Sequence, residues 1–170
     1  MTQLRPITSG DVAFLDAEFS SPAAAGEFGW FGFRAPGHRS EQLAKGETLR
    51  RDGGRLAVVG DGSELVGEVS WHVSDNGPPP HGECWNIGIW IAADARGRGH
   101  GSAAQRLLAE YLFAHTTCER VEASTEAGNV GEQKALENAG FIREGVLRSA
   151  CFRGGEWRDM VMYSKLRGEP

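Results

Sequence analysis

The sequence predicts a mixed α/β fold, a central twisted sheet of about seven strands flanked by helices on both faces. Three observations predict it. "RLAVVGDGSELVGEVSWHV" reads as two strands around a Gly-Asp-Gly-Ser turn, a strong hairpin signal. "CWNIGIWIAADARGRGHGSAAQRLLAEYLF" followed by "RVEAST" is a strand–helix–strand unit, whose crossover makes its two strands parallel. "FIREGVLRSACFRGGEWRDMVMYSKL" closes the chain as a hairpin around Gly154-Gly155. A chain of 170 residues is long enough for one core and too short for two comfortable ones, so residues 1–170 are read as a single domain.

The elements follow in order. "LRPITSGDVAFLDAEF" gives a short strand, a Thr8/Ser9 cap and a helix through about Phe19. "SSPAAAGEFGWFGFRAPGH" is rich in small and aromatic residues and has no clean period; a second helix is expected from about Ser40 to Arg51. After the hairpin, "SDNGPPPHGE" must be loop, because successive prolines cannot pair within a sheet. In the strand that follows, alternation sets Trp85, Ile87, Ile89 and Ile91 against Cys84, Asn86, Gly88 and Trp90. One tryptophan is therefore expected in the core and the other nearer a substrate. The next helix carries an apolar stripe of Ala104, Leu107, Leu108, Tyr111, Leu112 and His115. A helix from Asn129 to Asn138 ends at Gly140, where a left-handed cap falls.

Composition narrows the function. The net charge of −5 argues against a general nucleic-acid footprint and mildly favours a cationic small substrate. No apolar run approaches the ~20 residues of a membrane span. The opening "MTQLRPITSGDVAF" lacks the pattern of a signal peptide, and Cys84, Cys118 and Cys151 suit reduced thiols, so a cytoplasmic location is expected. Neither the cysteines nor His38, His72, His81, His100 and His115 make a metal-ligand spacing, and no metal is expected.

The glycine-rich loop is the chemical signal. It lacks the Gly-Lys-Ser/Thr of a Walker A loop, and Ser102 stands where a dinucleotide fingerprint needs its third glycine. Glycines before a helix still let several backbone N–H groups face an anion, aided by the helix dipole. The bland reading is a tight turn. The spacing Arg96-x-x-Gly99-x-Gly101 resembles the [QR]-x-x-G-x-[GA] signature of the GCN5-related N-acetyltransferase (GNAT) superfamily. "NVGEQKALENAGF" matches the second motif at Asn129, Glu137, Gly140 and Phe141. The closing hairpin and "LRPITSGDVAFL" are similar to the RimJ/RimL-like, ribosomal-protein branch.

The resemblance implies a GNAT fold in which the parallel strands Asn86–Ile91 and Val121–Thr125 splay into a V. It implies acetyl-CoA as co-substrate. Its pyrophosphate would lie on Arg96, Gly97, Arg98, Gly99, His100, Gly101 and Ser102, with His100 itself read as solvent-facing. The pantetheine arm would pair with Ile89 and Ile91 and touch Asn129, and the Ile91 amide would polarise the thioester carbonyl.

Proton handling is where the chain departs from its relatives. Asn86 replaces a glutamate common in the family, and can orient an amine or a water but not take a proton. The family's general-acid tyrosine has no counterpart, and Tyr163 reads as core. Glu132 stands where relatives often have serine and reads as a first-turn carboxylate complementing the helix dipole. Candidate bases are Glu83 and His72, each otherwise a solvated edge residue. A Cys84 nucleophile is conceivable, although direct transfer is what the resemblance implies. Glu27 could neutralise a cationic acceptor. Trp30, Phe31 and Phe33 either plug the core or line the acceptor pocket.

The expected function is acetyl transfer to a primary amine of a small molecule, of antibiotic or polyamine type. The alternatives are a protein N-terminal amine, as in the ribosomal branch, and a CoA-binding protein with little turnover. The resemblance also allows a homodimer.

Overall fold

A computed structural model of the chain describes residues 1–78 and 82–170; the part of the expected proline loop at 79–81 lies outside the described residues. The chain runs β1 (Gln3–Pro6), α1 (Ser9–Glu18), α2 (Pro22–Ala25), α3 (His38–Ala44), β2 (Leu49–Arg50), β3 (Gly53–Val59), β4 (Leu65–Asp75) and β5 (Glu83–Ile91). It continues through a 3-10 turn (Ala93–Ala95), α4 (His100–His115), β6 (Arg120–Glu126), α5 (Val130–Asn138), β7 (Ile142–Arg153) and β8 (Glu156–Leu166). The sheet has eight strands in the order β1-β3-β4-β5-β6-β8-β7, with β2 added on β3. The seven expected strands are present, and two-residue β2 is the eighth.

Among the described pairings only β5–β6 is parallel, and it is brief: Trp85–Val121, Asn86–Glu122 and Ile87–Ala123. Beyond those rungs both strands continue without pairing to each other. All other ladders are antiparallel. The crossover helix α4 makes the parallel pair, since it must return the chain to the same end of the sheet.

Local sequence explains the ends of the elements. Asp11 accepts hydrogen bonds from the Thr8 N–H (2.7 Å) and Thr8 hydroxyl (2.8 Å), closing the first turn of α1. Ser21 accepts from the Ala24 N–H at 3.2 Å and Pro22 opens α2, giving order to a stretch whose sequence has no period. The expected second helix is shorter than read. It stops at Ala44 because Gly46 takes φ +71°, and Leu49–Arg50 turn into β2 instead. Gly140 (φ +87°) ends α5; a Cβ there would stand 2.5 Å from Lys165 Nζ and 2.7 Å from the Pro170 carbonyl oxygen.

The core fills both faces of the sheet. Trp85 and Ile87 face α4, where the Trp85 indole N–H donates to the Thr116 hydroxyl at 3.1 Å. Trp90 points the other way, against Phe14 and Phe19 at 6.3 and 5.1 Å between ring centres. Both tryptophans are therefore buried. The stripe of α4 is rotated from the one read in the sequence: Ala104, Gln105, Leu108, Ala109 and Leu112 are buried. Tyr111 and His115 lie outside, their rings in tilted contact at 4.8 Å between centres, with the Tyr111 ring 6.0 Å from that of Trp71. Each fully buried leucine contributes about 1.5–3 kcal/mol of transfer free energy. Tyr163 is wholly buried and its hydroxyl donates to Glu137 at 3.1 Å, a core role.

Candidate active site

Where β5 and β6 part, the sheet opens into a cleft of about 690 Å³. One wall is Ile87–Ile91 and the other is Ala123–Glu126. The mouth is formed by the glycine loop and the first turns of α4 and α5. At the far side lie Phe28, Phe31, Cys151 and Met160.

Backbone polarity makes this a binding slot. The Ala92 N–H donates to the Val66 carbonyl at 2.9 Å, so even-numbered residues of β5 turn their peptide groups toward β4. The odd-numbered Ile89 and Ile91 therefore turn theirs into the cleft. The Ile91 carbonyl already accepts the Arg96 Nε–H at 2.8 Å, which leaves the Ile91 N–H facing the opening. Buried edges of this kind call for a partner with its own donors and acceptors.

The mouth calls for an anion. Helix α4 begins after Gly99, which takes φ +83°, and no side chain caps it. No acidic residue stands in its first turn, and its first intrahelical bond is Ala103 N–H to the Gly99 carbonyl. The N–H groups of His100, Gly101 and Ser102 are thus left without intrahelical acceptors. Gly97 also has positive φ (+75°), and a Cβ at Gly97 or Gly99 would meet nothing within 4 Å. An uncapped helix start in an open cradle, beside a slot for an extended chain, fits the pyrophosphate and pantetheine arm of CoA. The described residues hold no cluster of three His, Cys, Asp or Glu placed to bind a metal. No described helix is long and apolar enough to cross a membrane.

The residues singled out in the sequence divide between this cleft and elsewhere. Ile89, Ile91, Arg96, Gly97, Gly99, His100, Gly101, Ser102, Asn129 and Phe31 line it. Arg98 is exposed on the same loop, outside the lining. His100 is buried, not solvent-facing, because it opens α4 with its Nδ1 3.0 Å from the Thr2 hydroxyl. Asn129 caps α5, its Oδ1 accepting the Glu132 N–H at 3.3 Å, which leaves its amide NH2 for a ligand.

The expected proton carriers sit elsewhere. Glu83 is exposed at the start of β5 opposite Asp75, four residues before the cleft wall begins. His72 is exposed on β4 directly opposite half-buried Asn86. Glu27 is exposed and outside the cleft lining, within electrostatic reach of Arg153. Trp30 and Phe33 pack edge to face at 5.1 Å, and Phe33 is 88% exposed, so this aromatic run is not a core plug.

Several cleft residues escaped the sequence reading as site residues, namely Phe28, Ser124, Glu126, Cys151 and Met160, and Glu132 is read there only as a helix-dipole carboxylate. Glu126 is nearly buried and paired with Arg153, whose guanidinium also lies 5.3 Å from the Phe28 ring centre. The ladder of β7 with β8 is irregular between Leu147 and Cys151, with Ser149 at φ +51°; this bulge turns the outer arm of the hairpin toward the cleft. Glu132 reads differently once seen in place. It is half-buried beside Gln105 of α4, and burial pushes its carboxyl up to about 7 despite the helix start beneath it. By contrast, burial and the nearby Glu122 carboxylate push the Cys84 thiol up to about 12, which makes it inert as a nucleophile.

Known proteins share this architecture. Residues 2–142 match the acetyltransferase (GNAT) domain family. The putative ribosomal N-acetyltransferase YdaF of Bacillus subtilis is 33% identical over 118 residues, 69% of this chain. That match spans 62% of YdaF's own length. Among solved structures, spermidine N-acetyltransferase from Vibrio cholerae, in complex with CoA and spermine, has a TM-score of 0.80 at 18% identity. It aligns with 99% of this chain and 96% of its own. RimJ of Mycobacterium smegmatis, in complex with CoA-disulfide, gives 0.78 at 21% identity, covering 98% of this chain and 82% of its own. The fold, the split parallel pair and the uncapped glycine loop agree with these matches: the chain belongs to the acetyltransferase (GNAT) domain family.

Proposed function

We propose that this protein transfers the acetyl group of acetyl-CoA to a primary amine of a small molecule. The observation that carries this reading is the slot itself, with unpaired strand edges leading from an uncapped helix start. Gly97, Gly99 and the amides of His100, Gly101 and Ser102 take the pyrophosphate. Ile89 and Ile91 pair with the pantetheine arm, the Asn129 amide steadies it, and the Ile91 N–H polarises the thioester carbonyl. Such positioning supplies much of the rate, since attack by a neutral amine on a held thioester needs little further chemistry.

The acceptor enters from the side of Phe28, Phe31 and Met160. Glu126 on that side is neutralised by Arg153, so the lining offers aromatic surface and no free carboxylate there. This favours an amine attached to an apolar or aromatic body over a polyamine, although the V. cholerae relative is named for spermidine. A peptide N-terminus is the second reading, favoured by the name of the YdaF relative. Localisation in the cytoplasm and pairing into a homodimer remain part of the proposal.

The test is a thiol-release assay with acetyl-CoA against aromatic and aliphatic amines, aminoglycosides, polyamines and short peptides with free N-termini. Turnover confined to small amines supports the first reading, and turnover on peptides alone moves the protein to the second. Tight acetyl-CoA binding with no turnover on any amine would leave a CoA-binding protein.

A further inference from the structure

Direct transfer leaves a thiolate, which needs a proton, and the family's tyrosine acid has no counterpart here. We propose that Glu132 is the proton donor to the departing CoA sulfur, acting directly or through one water; the assignment rests on the acetyl-transfer reading above.

Placement is the first support. Helices α4 and α5 both start at the open end of the V, because each follows one of the two parallel strands. A ligand held by its pyrophosphate at 97–102, with its thioester between the strands, must pass the first turn of α5. Glu132 lies on that turn and lines the cleft, three residues after the cap Asn129. On its other side Gln105, 1% exposed, bonds the Gly101 carbonyl at 3.3 Å and also contacts the Glu132 carboxyl. The carboxyl therefore sits buried beside a side chain that is itself tied to the glycine loop.

Chemistry is the second support. A first-turn carboxylate ordinarily ionises more readily, helped by the helix dipole. Here burial wins and the group keeps its proton to about 7. The neighbouring charges do not reverse this. Lys134 lines the same cleft, Arg96 is committed to Ile91, Glu126 is paired with Arg153, and His100 is bonded to Thr2. None of them is among the causes of the shift. An acid matched to neutral pH is what proton delivery in a transition state requires.

The step balances. The amine nitrogen bonds to the acetyl carbon and the carbon–sulfur bond breaks, its electron pair staying on sulfur. The Glu132 carboxyl proton passes to that sulfur, the acetylated nitrogen gives its surplus proton to water, and water restores the Glu132 proton.

The test compares wild type with Glu132→Gln on an acceptor found by the assay above. With acetyl-CoA at saturation, kcat of the variant should fall roughly 10²-fold, within the range of general acid catalysis. Donor Kd should change less than about threefold, since both side chains are polar and the same size. Wild-type kcat should decline as pH rises through about 7, and that limb should vanish in the variant. With acetyl-seleno-CoA, whose selenolate departs without a proton, the two enzymes should turn over alike. Independently of turnover, one 13C-labelled glutamate carboxyl of the donor-free protein should titrate near neutrality and be missing from Glu132→Gln. A signal at ordinary carboxylate pH, or a variant with unchanged kcat and pH limb, overturns the assignment while acetyl transfer stands. Wild-type silence on every amine would overturn both.

Discussion

Arg153, near the tip of the β7–β8 arm, grips the carboxylate of Glu126 with two N–H groups, the Nη2 bond measuring 2.6 Å. The contact joins the last rung of β6, where Glu126 pairs with Met160 of β8, to the part of the β7–β8 arm that runs on beyond it, beside Phe28 of the cleft lining. Glu126→Gln should orphan a nearly buried guanidinium, a change that costs up to about 3–5 kcal/mol when one partner of a buried pair is removed. Arg153→Met should do the same to the carboxylate. The double variant should recover much of the stability in urea melts, yet keep a raised KM for the acceptor. Additive losses would mean that the two side chains act separately.

Gly99→Val should weaken acetyl-CoA binding at least tenfold. A β-branched residue is strained at φ +83°, and its side chain would fill the cradle the anion needs. Gly101→Ala should be milder, because its Cβ meets only Ala135 Cβ, at an ordinary 3.7 Å. Calorimetric titration with acetyl-CoA measures both. Equal affinities for wild type and Gly99→Val would remove the loop from donor binding.

Asn129 carries two duties that substitution can separate. Asn129→Ala should lose the cap of α5, about 1 kcal/mol, together with donor affinity. Asn129→Asp keeps an acceptor for the Glu132 N–H, so its Tm should match wild type while KM for acetyl-CoA rises. Paired melts and kinetics decide it; a normal KM in Asn129→Asp would confine the residue to capping.

Glu83→Gln and His72→Gln should leave kcat within about twofold, far short of the 10²–10⁴ that a general base supplies. Both side chains are exposed and outside the cleft lining. A loss of a hundredfold in either variant, with a shifted pH–rate profile, would bring that residue back as the base.

The Arg120 guanidinium draws the Glu144 carboxyl down from an ordinary 4.5 to about 2. A depressed acid stabilises the fold fully above its unfolded value and stops doing so as pH falls. This contribution is therefore present above pH 4.5 and fades toward pH 2. Glu144→Gln should flatten stability against pH in that window, read from urea midpoints. Solvent screening keeps the effect small, because Glu144 is 41% exposed. An unchanged slope would mean that other carboxylates govern acid unfolding.

Much of the fold was legible because local rules decide it. The β3–β4 hairpin, the glycine cradle and the α5 cap each follow from a few adjacent residues. Ile89 and Ile91 are singled out through the family resemblance, and the ladder with β4 shows why they line the opening, since it takes up the peptide groups of their even-numbered neighbours. What stayed hidden depends on distant partners. Gln105 lies in the core because α5 covers it, whereas Tyr111 and His115 find only each other and Trp71. The helix predicted over Ser40–Arg51 ended early at a single glycine, and the strand beyond it exists only by pairing with Gly53 and Gly54. Cys151 and Met160 reach the cleft from the bulged β7–β8 hairpin, which no stretch of neighbouring residues announces. Glu132 was visible as a motif change, but the rise of its carboxyl is set by burial against another helix.

The short β5–β6 ladder has a mechanical meaning. Three rungs form the sheet seam between the β1–β5 half and the β6–β8 half, with α4 laid along it. A ligand strung between the open edges adds the missing rungs, so it acts as a stitch across the weakest line of the sheet. The two halves should then breathe against each other when empty and move as one body when loaded. Amide exchange along Gly88–Ile91 and Ser124–Glu126 would register that change as slowing confined to the seam.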